Sequence, residues 1–149
     1  MVDRFTVTTN RSGHIRQIRV IIHDTKEQMQ RTAAAYSRAR GLEIPEKGFA
    51  AMTHSYQRQY LDSDGVWKTK ADTNIIRLYK DKLGGRVIIH ESTHVALHIY
   101  SIDCMSEDDP VDEHMWSGNE KFCYLLDDIA GRIIDRLYKR GYYAGVRKR

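Results

Sequence analysis

No apolar run in this chain approaches the roughly 20 residues that cross a bilayer, which excludes a membrane-spanning protein. The opening Met1-Val2-Asp3-Arg4-Phe5 holds no apolar signal region, so a cytoplasmic location is expected. Cysteine is scarce. Cys104 and Cys123 are the two present, without CxxC spacing, which argues against a disulfide scaffold or a zinc finger and for reduced thiols. The two prolines, Pro45 and Pro110, fall between patterned segments, and no repeat or low-complexity stretch appears. What is present is the composition of one globular domain. The 149 residues, 41% hydrophobic and 30% charged, have a mean hydropathy of −0.59. They suffice for one core and leave little room for another, so residues 1–149 read as a single domain.

Basic residues are missing from one long stretch. From Asp103 to Glu120 the chain carries Glu107, Asp108, Asp109, Asp112 and Glu113 between those two, with no Lys or Arg. Clustered carboxylates repel and stay hydrated, so this reads as an exposed loop. The C-terminus is the opposite, with Lys139, Arg140, Arg147, Lys148 and Arg149. The net charge is +4 and the isoelectric point about 9.1. A basic tail attracts phosphates, but no stripe of Lys and Arg interleaved with aromatics appears, and nucleic-acid binding is not expected.

Phe5 to Thr9 and Ile15 to Ile22 alternate with period two around Asn10-Arg11-Ser12-Gly13, predicting a β-hairpin with Ile18, Val20 and Ile22 on one face. Thr25 to Arg40 favours helix, stopped by Gly41. Phe49 to Tyr60 reads as one strand closed by the turn Asp62-Ser63-Asp64-Gly65, and Thr73 to Lys80 as another, apolar on both faces. Two long helices follow, Arg86 to Ser101 and Asn119 to Arg140. The second places Phe122, Leu125, Leu126, Ile129, Ile133 and Leu137 at three- and four-residue steps. This order predicts an α+β domain, a mostly antiparallel sheet with the helices on one face.

The chemistry is concentrated in His90-Glu91-Ser92-Thr93-His94. Residues four apart on a helix share a face, so His90 and His94 can offer ring nitrogens to one ion, and zinc binds such nitrogens at about 2.0–2.1 Å. Glu91 lies about 100° round the helix, able to reach a water on that ion as general base without being a ligand. With seven histidines in the chain, the pattern arises by chance on the order of 1–2% of the time. A helical wheel puts Leu97, Val87 and Ser101 with the histidines, and Ile88, Ile89, Val95, Ala96, Ile99 and Tyr100 largely on the core side. His98 is about 12 Å along the axis from His90, too far to share one ion with both.

This HExxH resembles the zincin metallopeptidases, and within them the gluzincin pattern, in which a distant Glu completes the zinc site. The sheet, active-site helix and ligand helix in that order also look like small zincin-like proteins often carried by bacteriophages. The resemblance covers about Thr73 to Arg140. It implies a phage-encoded protein acting inside its host, and a zinc ion held by His90, His94 and Glu120 in Asn119-Glu120, the pair that opens the second long helix. Gly at position 97 and His at position 100, which metzincins require, are here Leu97 and Tyr100. Gluzincins commonly place an Asp four residues after the ligand Glu; that position is Tyr124.

The helix from Asn119 leaves alternatives open. Tyr124, Asp127 and Gly131 share the face of Glu120. Asp127 could hydrogen-bond a ligand histidine, and Gly131 would permit close helix approach. Ser117-Gly118-Asn119-Glu120 is also a capping box, which would use Glu120 at the helix start alone. His114 is the rival ligand. Tyr124 could donate to the oxyanion of a tetrahedral intermediate, with Tyr100 and His114 competing. By the same resemblance, the strand Thr73–Lys80 would run beside the cleft and pair with an extended peptide. The expected function is a zinc metallopeptidase acting on a peptide or protein. The alternative is a non-catalytic binding module, with any zinc structural, engaging nucleic acid or a host protein.

Overall fold

The alternation in the first two segments builds an antiparallel hairpin. β1 (Asp3–Thr9) pairs with β2 (Arg16–His23) in a register that sets Phe5 against Val20 and Val7 against Ile18. The computed structural model describes residues 2–44, 48–55, 57–71, 74–105 and 119–144. After α1 (Lys26–Ala39) come β3 (Met52–His54), β4 (Gln57–Leu61), β5 (Trp67–Ala71) and β6 (Asn74–Tyr79), then α2 (Gly85–Asp103) and α3 (Asn119–Lys139). The main sheet has the order β1-β2-β6-β3, and β4 and β5 form a separate two-stranded ribbon. β2 and β6 are parallel, the other pairings antiparallel. The fold is α+β with a mixed sheet.

The two long helices share one face of the sheet, as expected, and α1 covers the other. Phe5, Val7, Ile18, Val20, Ile22, Ile76 and Leu78 pack against Ile88, Val95 and Ile99 of α2 and Leu125, Ile129, Ile133 and Leu137 of α3. The opposite face of β2 and β6 is buried too, at Ile21, His23, Ile75 and Arg77, and α1 lies on that side through Met29 and Ala33. A strand buried on both faces reads as continuous apolar sequence, as Thr73–Lys80 did. β6 lies inside the sheet, between β2 and β3. This corrects the expectation that the strand Thr73–Lys80 offers an edge to a peptide, because β3 already occupies β6 over Ile75–Arg77.

The helix ends follow the sequence signals. The Thr25 side chain accepts from the N–H of Gln28, and the Gln28 side chain accepts from that of Asp24. At the other end Leu42 N–H bonds to Ser37 O and Gly41 N–H to Arg38 O, with Gly41 at φ +65°. That left-handed residue lets the chain turn back on its last carbonyls. The expected single strand Phe49–Tyr60 is divided. Its first part joins the main sheet, while Gln57-Arg58-Gln59 offers no apolar residue to the core and goes to the ribbon. The Asp62 turn is present, its Oδ1 accepting from the N–H groups of Asp64 and Val66. β5, unread in the sequence, is the other half of that ribbon. Cys104 and Cys123 are free thiols. No helix among the described residues is long and apolar enough to cross a membrane.

Candidate metal centre

α2 presents its polar residues on two different faces. His90 and His94 are exposed, while Glu91 and Ser92 join Ile88, Val95, Ala96 and Ile99 in the buried arc. The helix is rotated relative to the sequence-based wheel. Ile89, expected in the core, is 51% exposed, because residue 91 rather than residue 89 faces the sheet.

The two imidazoles converge. His90 Nε2 and His94 Nε2 are 3.3 Å apart, with the rings edge-to-face at 76°. Two nitrogens at 2.0–2.1 Å from a tetrahedral zinc stand about 3.3–3.4 Å from each other. The separation of the two imidazole nitrogens matches that spacing. Glu91 lies behind the pair, its Oε1 4.0 Å from His90 Nε2 and its side chain 7% exposed. Its other oxygen, Oε2, accepts a hydrogen bond from the Thr53 hydroxyl of β3. One carboxylate oxygen is anchored to the sheet and the other lies toward His90.

Among the described residues Glu91 has no Lys or Arg partner. Asp103, the comparable buried carboxylate with a side chain 1% exposed, is paired with Arg16, which together with the Ser12 hydroxyl holds its pKa below the usual range against the opposing effect of burial. A cation bound beside Glu91 would complement the charge of its carboxylate.

Two hollows meet at His90. One, of about 350 Å³, is lined by Phe49, Ala50, Ala51, Arg86, Val87, His90 and Glu91. The other, of about 440 Å³, is lined by Arg86, Ile89, His90, Thr93, His94 and Leu97. Sequence reasoning missed Arg86 and Thr53. Arg86 had a signal, one helical turn before His90. Thr53 had none, since its role depends on β3 packing over α2.

Among the described residues, the other expected site residues do not join this centre. Glu120 is exposed in the first turn of α3, and Tyr124 is 57% exposed. Neither lines either hollow. Among the described residues no group of three His, Cys, Asp or Glu side chains is placed to hold a metal. Asp127 is exposed and makes no hydrogen bond to His90 or His94. A Cβ at Gly131 would meet open space, so no close helix approach requires glycine there. Tyr100 is buried edge-to-face against Phe122. His98 donates from Nδ1 to Asn74 Oδ1, 3.0 Å away, and burial pushes its pKa down. His114, Ser117 of the capping box, most of the acidic stretch and the tail Arg147-Lys148-Arg149 lie outside the described residues.

No family model matches the chain, and no curated protein or solved structure matches it either.

Proposed function

We propose that the chain is a zinc-dependent hydrolase acting on peptide bonds. The observation that carries this reading is the exposed imidazole pair, His90 and His94 with Nε2 atoms 3.3 Å apart, beside the buried Glu91, whose Oε1 lies 4.0 Å from His90 Nε2. His90 and His94 would hold the metal. A zinc ion bound there supplies Lewis-acid chemistry, acidifying water toward a pKa of about 7 and polarising a carbonyl.

The chain's own groups do the rest. Glu91 takes the proton of the attacking water on Oε1 and delivers it to the departing amine. Thr53 fixes the carboxylate through Oε2, so the reacting oxygen keeps one orientation. The substrate lies along the outer strand β3 and the adjoining Phe49-Ala50-Ala51, which line the hollow beside His90. Glu120 as third ligand and Tyr124 as oxyanion donor are proposed on the HExxH…E resemblance alone. Cleavage of a protein or peptide inside a cell, and a phage source, rest on the same resemblance.

The test is the isosteric substitution Glu91→Gln. Zinc content should stay at the parent's level while zinc-dependent cleavage of unfolded casein or a peptide library falls by about 10²-fold or more. Cleavage at the parent's rate would remove Glu91 as the base and overturn the mechanism.

A further inference from the structure

The sheet face under α1 holds a second concentration of chemistry. Register sets Arg4 of β1 beside Ile21 of β2, and Ile21 beside Arg77 of β6; the neighbouring row is Thr6, Arg19 and Ile75. Positions two apart along a strand share a face, and strands are about 4.8 Å apart. Three arginines thus surround Ile21 on one side of the sheet. They line a pocket of about 530 Å³ together with Thr6, Thr32 and Tyr36, and among the described residues no carboxylate lines it.

Two of the three arginines of this pocket stand outside the surface ion pairs of the described residues. Arg16, Lys80, Arg132 and Arg140 each sit on an Asp, whereas Arg4 and Arg19 enter no ion pair among the described residues. Arg77 is 5% exposed. Its Nε donates to His54 Nε2 at 3.0 Å, and its Nη1 lies 3.4 Å from His23 Nε2. Burial, reinforced by Arg77, pushes both histidines down to about 4. They are neutral near pH 7, so they orient the guanidinium without cancelling its charge.

Guanidinium forks match tetrahedral oxyanions through paired N–H donors, and three hydroxyls stand in the same walls. The volume is that of a small-molecule site. A nucleic-acid strand would meet exposed Arg4 and Arg19 but not the buried Arg77. We propose that this pocket binds a small polyanion of the phosphate class, through Arg4, Arg19 and Arg77, on the sheet face opposite His90. The site is independent of the hydrolase reading.

Calorimetric titration of the full chain with pyrophosphate at pH 7 and low salt tests it. Saturable binding near one per chain is expected, weakened tenfold or more in Arg4→Gln and in Arg19→Gln, both exposed positions that the fold tolerates. Lys139→Gln, in the other basic hollow between β1 and α3, should leave the affinity unchanged. His90→Ala should also leave it unchanged, which separates this pocket from phosphate captured at the metal centre. ATP in place of pyrophosphate distinguishes the source. Tighter binding of ATP identifies a nucleotide and equal binding the phosphates alone, and either supports the pocket. Absence of saturation at millimolar pyrophosphate, full affinity in both arginine variants, or an equal loss in Lys139→Gln would overturn it.

Discussion

At the scale of single residues, the ionisable groups differ in what surrounds them. Asp103 has Arg16, and Asp3 has Arg140 and Tyr142, the Tyr142 hydrogen bond being the main reason its pKa is lowered. Glu91 has the Thr53 hydroxyl and the His90 imidazole, and the hydrolase proposal sets a cation beside it. His23 and His54 are the reverse case, held neutral by burial at about 4 against an ordinary 6.5. Below pH 6.5 the unfolded chain takes up protons that these histidines refuse while folded. Stability is therefore full above about pH 6.5 and is lost as pH falls toward 4, by about 2–3 kcal/mol per histidine. Urea unfolding at pH 7 and pH 4.5 should show this drop, with a smaller one in His54→Gln, whose amide oxygen can still accept from Arg77. A midpoint that does not move over this window would show that the histidines protonate freely in the folded state.

At the scale of elements, β3 does more than its length indicates. Its three residues close one side of β6, Thr53 reaches Glu91, and His54 on the other face reaches Arg77. Thr53→Val keeps the shape and removes the donor. Zinc content should be unchanged while turnover falls about 10- to 100-fold, the usual cost of losing a group that orients a working side chain. Unchanged turnover would mean that packing alone fixes Glu91. This element was also the least legible. The hairpin β1–β2 and the three helices could be read directly, because Ile18, Val20 and Ile22 alternate, Gly41 stops α1, and Leu125, Ile129, Ile133 and Leu137 repeat every turn. The His90–His94 pair was legible for the same reason, since helical spacing alone sets it. Ile89 was misplaced because hydrophobicity cannot reveal that α2 turns a glutamate inward. β3 was merged with β4 because the two pair in different sheets, β3 with β6 and β4 with β5, a tertiary division that local pattern does not mark. The arginine pocket was invisible before the β1–β2–β6 register was known, since Arg4, Arg19 and Arg77 are far apart in the chain.

At the scale of the whole molecule, the sheet separates two sites of different chemistry. One face, with α2 and α3, carries the histidine pair and its buried carboxylate; the other, under α1, carries the arginines. β3 spans the two, with Thr53 and His54 adjacent in sequence on opposite faces. The hydrolase account requires that His90 and His94 hold one metal ion, and the fitting measurement is direct. Protein purified without chelator and crystallised with zinc should give a single anomalous peak at the zinc edge. That peak should lie about 2.0–2.1 Å from both Nε2 atoms, with a third protein ligand that density identifies as Glu120 or His114. A chain that takes up no zinc, or a peak away from the two imidazoles, would contradict the account.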